Sequence, residues 1–179
     1  MGDETRRLID RVLDPDFTEA LTARPIEELR SMRDSAKEAE TELSFERRLC
    51  QARIDILTAE LENRSGGRDT DLMERLPEIL AGQRPPSSGP LPARAPDLSV
   101  PRNADVPRRR VEEIAGERTL ARLTQLSDEE IKGVVSALAE YEREISERRK
   151  RIHEVIDTIQ AEIVRRYVSG EADPSAALS

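Results

Sequence analysis

Aromatic residues are nearly absent from this 179-residue chain, which contains no tryptophan. They make up 2% of the sequence, and charged residues (37%) slightly outnumber hydrophobic ones (36%). A chain with so little apolar volume is unsuited to a thick globular core. The composition instead predicts long helical pairs whose core is one seam wide, joined by disordered connections.

Cysteine and histidine are equally scarce. The single cysteine, Cys50, excludes an internal disulfide framework, and its helical position predicts a small buried residue rather than a nucleophile. The one histidine, His153, has no cysteine or carboxylate set at metal-ligand spacing around it, so we expect no metal site. The sequence also shows no nucleophile with a base and no phosphate-binding loop, so we expect no enzyme activity.

Long apolar runs are missing as well. No segment approaches the roughly 18 apolar residues of a transmembrane helix, and the first residues lack a signal-peptide pattern. These features predict a cytoplasmic protein that does not bind a membrane. The formal net charge of −8 also argues against direct DNA binding. An anionic ligand would therefore need a local cluster of arginine and lysine.

Two long helices dominate the predicted organisation. Pro25, followed by Glu27 and Glu28, predicts the start of a first long helix, placed at residues 25–65. Ser127 and Glu130 form a capping box that opens a second long helix, placed at residues 127–168. Both helices continue without a breaker until a glycine-containing stop.

Three further segments complete the predicted division of the chain. Residues 1–24 hold a short amphipathic helix at 4–13, which the Asp14-Pro15 step ends. Residues 66–126 form a largely disordered linker, with short helices at 70–81 and 109–124 and a proline-rich stretch at 82–108. Residues 169–179 form a disordered tail.

The same polar stripe occurs on both long helices, 102 positions apart. Its spacing is +4, +3, +4, +4 in each copy, which places five side chains within an arc of about 80°. The first copy is Glu40, Ser44, Arg47, Gln51 and Asp55, and the second is Glu142, Ser146, Arg149, His153 and Asp157. A solvated helix face has no reason to repeat this order, so the stripe predicts a ligand-binding face on a duplicated helix.

The pattern E-x3-S-x2-R-x3-Q-x3-D on a pair of coiled-coil helices resembles the signature of the RsiG family of actinobacterial anti-sigma factors. The first stripe matches it at all five positions, and the second at four, with His153 in place of glutamine. The resemblance implies an antiparallel helix pair that binds cyclic di-GMP between its helices. It also implies capture of a WhiG-type sigma factor and a role in the transcriptional control of sporulation.

Heptads fit both helices in the same frame, with apolar residues at most a and d positions. The predicted seam residues are Leu43, Cys50, Ile54, Leu57 and Leu61 on the first helix, and Ile145, Ile152, Ile156, Ile159 and Ile163 on the second. Charges occupy two a positions of each helix, Glu40 and Arg47 on the first and Glu142 and Arg149 on the second. These charges could simply pair across the helices and set the register. The neighbouring polar residues of the stripe, which register does not require, favour a ligand.

The residue types of the stripe suit a guanine nucleotide. A carboxylate matches the N1–H and N2–H donors of guanine, and arginine matches its O6 and N7 acceptors. Serine and glutamine or histidine can bind phosphate oxygens or base edges. The run Arg148-Arg149-Lys150-Arg151, with Arg47 and Arg48, supplies local positive charge in an acidic protein. Two stripes offer this set twice, which fits a ligand that is itself two-fold symmetric.

The first long helix carries a second apolar stripe, which we call the outer stripe. Its members are Phe45, Leu49, Ala52, Ile56 and Ala59, and the equivalent residues of the second helix are mostly polar. Composition alone leaves two roles open, packing of the short linker helices or docking of a partner. The resemblance favours the partner.

The sequence thus predicts an all-α protein, a two-helix coiled coil with a long disordered connection and short accessory helices, and the resemblance implies that the two helices are antiparallel. By the same resemblance, the predicted function is that of an anti-sigma factor controlled by cyclic di-GMP, which keeps a WhiG-type sigma factor from RNA polymerase. A structural coiled-coil adaptor with register-setting polar layers is the main alternative. A nucleic-acid binder that uses the basic run is the third possibility.

Deletion of residues 82–108 tests the linker hypothesis. This segment has few apolar groups with which to order itself, so its removal should leave ligand and partner binding nearly intact. Calorimetry with cyclic di-GMP and a pull-down of the sigma factor measure the two activities. Loss of either one in a variant that remains helical would identify the segment as a functional element.

Overall fold

The computed structural model describes residues 8–66, 100–101 and 109–172, and every regular element among them is helical. Helix α1 is described at residues 8–12. It is followed by α2 (Ile26–Gly66), α3 (Arg109–Ala115), α4 (Glu117–Ala121) and α5 (Asp128–Ser169). Short 3-10 turns lie at Pro15–Thr18, Leu21–Ala23 and Leu123–Gln125. The all-α prediction is confirmed.

The long helices begin close to where the sequence signals place them. At α5, the Ser127 hydroxyl accepts a hydrogen bond from the Glu130 backbone N–H, and the Glu130 carboxylate accepts from the Ser127 N–H, as the capping box predicts. At α2, the carbonyl of Pro25 accepts from Leu29, so Pro25 caps the helix instead of occupying its first turn. None of the helices in the described residues is apolar over a membrane-spanning length.

The chain divides into two compact units, each containing a stretch of both long helices. Among the described residues, the first unit draws on 8–44, 101 and 146–172, and the second on 45–66, 100 and 109–145. In the first unit, Arg30 of α2 contacts Tyr167 of α5, and Glu40 contacts Arg149. Residues later in α2 therefore contact residues earlier in α5. In the second, Arg47 pairs with Glu142 and Arg64 with Asp128. The helices are therefore antiparallel in both units, which confirms the predicted coiled coil.

The core of the first unit lies where the start of α2 meets the end of α5. Its buried cluster is Leu21, Leu29, Met32, Ile159 and Ile163, with Phe17, Ile26, Val155 and Tyr167 packed against it. Ile9 and Val12 of α1 are also buried. Arg148 of α5 binds the Asp10 carboxylate at 2.7 Å, and Arg151 donates to the Leu13 carbonyl, so α5 holds the N-terminal segment through both apolar and polar contacts.

The predicted heptad seam is buried most completely at its d positions. Leu43, Cys50, Leu57, Ile145, Ile152 and Ile159 all have side chains with about 1% or less of their surface exposed. Of the a positions, Ile156 and Ile163 of α5 are buried, whereas Ile54 and Leu61 of α2 are half-buried. The seam is therefore narrow, as the composition predicts.

The predicted accessory helix over 109–124 is divided into α3, α4 and a 3-10 turn. The break falls at Gly116, where an added Cβ would lie 2.5 Å from the Glu112 carbonyl oxygen. The Arg53 guanidinium of α2 donates to the carbonyls of Val111 and Ala115 at 3.0 and 2.7 Å, and also contacts Glu112. Arg53 thus caps α3 and fixes it on α2.

Several predicted segments lie outside the described residues. They are the helix at 70–81, nearly all of the linker stretch at 82–108, and most of the tail. Within that stretch the structure describes Val100, which is exposed, and Pro101, which is buried. Because Pro101 is buried, a deletion that ends before Val100 is the better variant for the linker test.

Both units contain the same arginine contact at one end, which we call the end clamp. In the first unit, Arg166 donates to the carbonyls of Leu21 and Arg24 at 2.7 and 2.6 Å, and its Nε binds the Glu162 carboxylate at 2.8 Å. In the second unit, Arg64 donates to the carbonyls of Leu123 and Leu126 at 2.9 and 2.6 Å, and its Nε binds Glu60 at 2.8 Å. Every one of these residues has its counterpart 102 positions away.

The end clamp satisfies backbone carbonyls in the turn that precedes a long helix. Hydrogen bonds from Arg165 and Arg166 lower the pKa of Glu162 to about 2, so its carboxylate stays ionised at ordinary pH. Arg166 is buried, with 7% of its surface exposed. An arginine in this position fastens the chain before one helix to the last turns of the other.

Replacement of Arg166 with alanine should lower the free energy of unfolding by about 2–4 kcal/mol, because charge-assisted hydrogen bonds to buried carbonyls are lost. Urea denaturation followed by circular dichroism measures this change. The matched control is Arg143→Ala, since Arg143 is an exposed arginine of α5 whose Nε donates to the Ala139 carbonyl of the same helix. Equal stability of the two variants would contradict a stabilising role for the clamp.

Candidate functional site

The charged a positions of the two helices meet in two separate polar clusters. We call them the Glu40 cluster, in the first unit, and the Glu142 cluster, in the second. Each contains a carboxylate from one long helix and an arginine from the other. Each cluster also draws residues from both copies of the stripe.

The Glu40 cluster is built around a buried carboxylate of α2. Arg149 of α5 donates to Glu40 Oε1 from Nη2 at 2.9 Å and from Nε at 3.3 Å. The Ser44 hydroxyl donates to the same oxygen at 2.6 Å, and His153 Nε2 lies 3.5 Å from it. The Glu40 side chain is only 9% exposed, so these neighbours replace most of the water that would otherwise solvate its charge.

The Glu142 cluster uses the equivalent residues with the helices exchanged. Arg47 of α2 donates to Glu142 Oε1 from Nη1 at 3.3 Å, and Gln51 Nε2 donates to the same oxygen at 3.4 Å. The Arg47 and Glu142 side chains are 31% and 20% exposed, so this ion pair is longer and wetter than that of Glu40. Arg47 Nε is buried and has no hydrogen-bond partner in the described part of the chain. This cluster therefore retains a donor that could bind a further acceptor.

The remaining stripe residues have different surroundings. Ser146 and Asp55 are half-buried, and burial raises the pKa of Asp55. Asp157 is exposed, beside the apolar side chains of Ala161, Val164 and Val168. The structure thus brings seven of the ten predicted site residues into the two clusters. Asp55 and Asp157 lie one turn farther along their helix faces, and Ser146 lies between Glu142 and Arg149 on α5.

The basic run of α5 does not act as one patch. Arg149 belongs to the Glu40 cluster, whereas Arg148 and Arg151 bind the N-terminal segment through Asp10 and the Leu13 carbonyl. Lys150 is exposed. Because neighbouring residues of a helix point about 100° apart, four consecutive basic residues cannot share one face. The local positive charge expected of this run is therefore limited, and the run gives little support to a nucleic-acid surface.

The paired charges fit two roles. They are the cross-helix pairs expected of register-setting polar layers. They also offer a ligand both a carboxylate, which accepts hydrogen bonds at four lone-pair sites, and a guanidinium donor. The unpartnered Arg47 Nε favours the second role, since a purely structural layer would be expected to satisfy its buried donors.

Two other predicted features have clear structural positions. Cys50 is fully buried, and burial raises the pKa of its thiol to about 12, which disfavours the reactive thiolate form. Ala59 of the outer stripe is buried, whereas Phe45, Leu49, Ala52 and Ile56 are half-buried. Part of the outer stripe therefore remains accessible. Within the described residues, no group of histidine, cysteine and acidic side chains could hold a metal ion.

The stripe pattern did not reveal the arginines that hold the structure at its ends. Arg64 and Arg166 lie one position beyond the ungapped repeat of residues 21–63 with 123–165. Extension of that repeat by a single residue pairs these two arginines. Arg53 has no such sequence signal, because its contact depends on where α3 lies.

A protein-family model described as RsiG-like matches the chain over residues 15–80 and 117–179. These two regions cover most of the sequence and include both polar stripes and both end clamps. No curated protein sequence matches the chain.

Proposed function

The chain belongs to the RsiG-like family, and from this premise we propose that it binds cyclic di-GMP and sequesters a WhiG-type sigma factor. Family membership supports an anti-sigma role in general. The nucleotide and the type of sigma factor are our proposal. In this proposal the protein acts in the cytoplasm by holding a sigma factor away from RNA polymerase, and it has no enzyme activity.

The observation that carries the ligand proposal is the composition of the two clusters. Each one presents a carboxylate and a guanidinium from opposite helices, with an amide or imidazole beside them. A guanine base carries both donors and acceptors on its edges, and the phosphates of cyclic di-GMP carry negative charge. Such a ligand can therefore use both members of each Glu–Arg pair, whereas a simple anion can use only the arginine.

Ligand binding at a cluster must exchange existing contacts for new ones. The Arg47–Glu142 pair is 3.3 Å long and partly exposed, and in the described part of the chain Arg47 Nε is buried without a hydrogen-bond partner. The Arg149–Glu40 pair has two hydrogen bonds and a nearly buried carboxylate. Exposed pairs contribute little to stability, so exchange costs less at the Glu142 cluster. We propose that the ligand engages Arg47 more readily than Arg149.

The outer stripe is the proposed contact for the sigma factor. Phe45, Leu49 and Ile56 are half-buried in the described part of the chain, so they retain apolar surface that a partner could cover. They point away from the arc of the polar stripe, since Phe45 and Leu49 are each separated from Arg47 by about 160° around the helix. A residue that binds the sigma factor there would not also contact a ligand at the clusters.

The structural-adaptor alternative is favoured by one specific observation. Both Glu–Arg pairs already form across the helices, which is what register-setting layers require. Calorimetric titration with cyclic di-GMP separates the two functions, because an adaptor of this kind binds no nucleotide. Release of heat with saturation supports the proposed function, and the absence of binding supports the adaptor.

Replacement of either Arg47 or Arg149 with alanine should abolish cyclic di-GMP binding while helix content survives. Each variant removes the arginine that donates a charge-assisted hydrogen bond to the acidic residue of its cluster. Titration calorimetry measures affinity, and far-ultraviolet circular dichroism checks the fold. Arg143→Ala serves as the control, because this exposed arginine of α5 lies outside both clusters. Unchanged affinity in both single variants would rule out this site.

A double replacement, Phe45→Asp with Leu49→Asp, should eliminate sigma-factor capture. Each apolar side chain buried in such an interface contributes roughly 1.5–3 kcal/mol, and a buried aspartate adds a cost of its own. The affinity for cyclic di-GMP should stay within a small factor of the original value. A pull-down with the purified sigma factor and a calorimetric titration measure the two activities.

Glu147→Ala is the control for this pair, because Glu147 is exposed and occupies on α5 the position that Phe45 has on α2. It should retain both activities. If a folded aspartate variant still captures the sigma factor at normal strength, the outer stripe packs within the chain. The contact must then lie elsewhere, on α5 or the N-terminal segment.

A further inference from the structure

The two clusters differ at one equivalent position, and only one of the two residues there can titrate. His153 Nε2 lies 3.5 Å from Glu40 Oε1, and Gln51 Nε2 lies 3.4 Å from Glu142 Oε1. Both side chains therefore approach the carboxylate of the facing helix in the same way. An imidazole takes up a proton near neutral pH, whereas an amide does not. The charge of the Glu40 cluster can change under conditions that leave the Glu142 cluster unchanged.

The surroundings of His153 contain charges of both signs. From α2, Glu40 lies 3.5 Å from the imidazole, and Arg33, one heptad before Glu40, is bound by Asp34. On α5, Arg149 lies one turn before His153 and Asp157 one turn after it. From the N-terminal segment, Asp10 is bound by Arg148. Arg33 and Asp10 are thus each bound by a charged neighbour of their own, and the Glu40 carboxylate lies within 3.5 Å of the imidazole.

We propose that His153 links proton uptake to ligand binding at the Glu40 cluster, so that the two clusters bind their ligand with unequal and differently pH-dependent strength. This inference rests on the proposed function. With neutral His153, the charges of Glu40 and Arg149 cancel. A proton on the imidazole gives the cluster a net positive charge and makes both ring nitrogens donors. A phosphate group then meets two cations instead of one.

Protonation of His153 has an opposing effect, because it also strengthens the contact with Glu40. The Glu40 carboxylate already accepts hydrogen bonds from Arg149 and Ser44, so a protonated His153 adds little to its bonding. The added positive charge has a larger effect on the attraction of the cluster for a phosphate of the ligand. We therefore infer that binding strengthens as the pH falls. A charge-assisted hydrogen bond is stronger than a neutral one, and the difference in free energy corresponds to a change in affinity of about fivefold.

The test is a calorimetric titration with cyclic di-GMP between about pH 5.5 and 8, the range in which an imidazole titrates. The unaltered protein should bind about fivefold more tightly at the acidic end. Repeating the titration in buffers with different heats of ionisation should reveal proton uptake on binding. His153→Gln should remove both effects, and Gln51→His should enlarge them by adding a second titrating group.

The matched variants separate His153 from other titrating groups. Asp55, whose pKa burial raises, has the same neighbours on α2 in the unaltered protein and in His153→Gln, so its titration cancels in that comparison. His153→Gln introduces the amide that Gln51 already directs at Glu142, and circular dichroism verifies the fold. Gln51→His provides an independent variant at the more exposed cluster.

Three outcomes contradict the inference, and they differ in what they say about the proposed function. Equal pH dependence in the unaltered protein and in His153→Gln would overturn the role of His153 while leaving cyclic di-GMP binding in place. Tighter binding at the alkaline end would overturn it as well. A complete lack of binding at every pH, in all three folded proteins, would overturn the proposed function together with this inference.

Discussion

A carboxylate in the seam of a two-helix coiled coil must be paired, because the seam admits little water and one apolar layer cannot compensate the charge. Glu40 satisfies this constraint with Arg149, Ser44 and His153, and Glu142 satisfies it with Arg47 and Gln51. In both cases the arginine comes from the facing helix, so the pair also determines which turns of the two helices lie side by side. The antiparallel register is thus marked by these pairs as well as by the buried leucine and isoleucine residues.

Arginine also makes the polar contacts that hold the turn before each long helix and the short helix α3. Arg64 and Arg166 each bind carbonyls of the turn that precedes the other long helix, and Arg53 caps the short helix α3. A guanidinium has five donors in a planar arrangement, so one side chain can satisfy several backbone carbonyls at a helix end. In the first unit these polar contacts add to the apolar packing of Leu21, Phe17 and Tyr167. The use of arginine for these contacts is consistent with a sequence whose charged residues outnumber its hydrophobic ones.

The pairing across the seam also bears on the proposed ligand. In that proposal a ligand replaces cross-helix contacts with contacts of comparable strength, which disfavours neutral apolar molecules and favours one with donors, acceptors and negative charge. The two clusters differ in how strongly their existing ion pairs are held. Glu40 is nearly buried and bound by Arg149 through two hydrogen bonds, while Glu142 is more exposed and its arginine retains an unpartnered Nε. A duplicated sequence has thus produced two clusters with the same residue roles and unequal strength.

The sequence by itself determined the two long helices, their capping, the d positions of the seam and the duplicated stripe, because these features depend on local propensity and helical periodicity. The family resemblance added the antiparallel direction, which a long linker leaves open. Only the tertiary structure decided that each cluster combines residues from both stripes, since the partner of Glu40 depends on the register of α5. It also dispersed the basic run at Arg148–Arg151 and placed Arg53 on α3, because these contacts join segments that no periodic pattern relates.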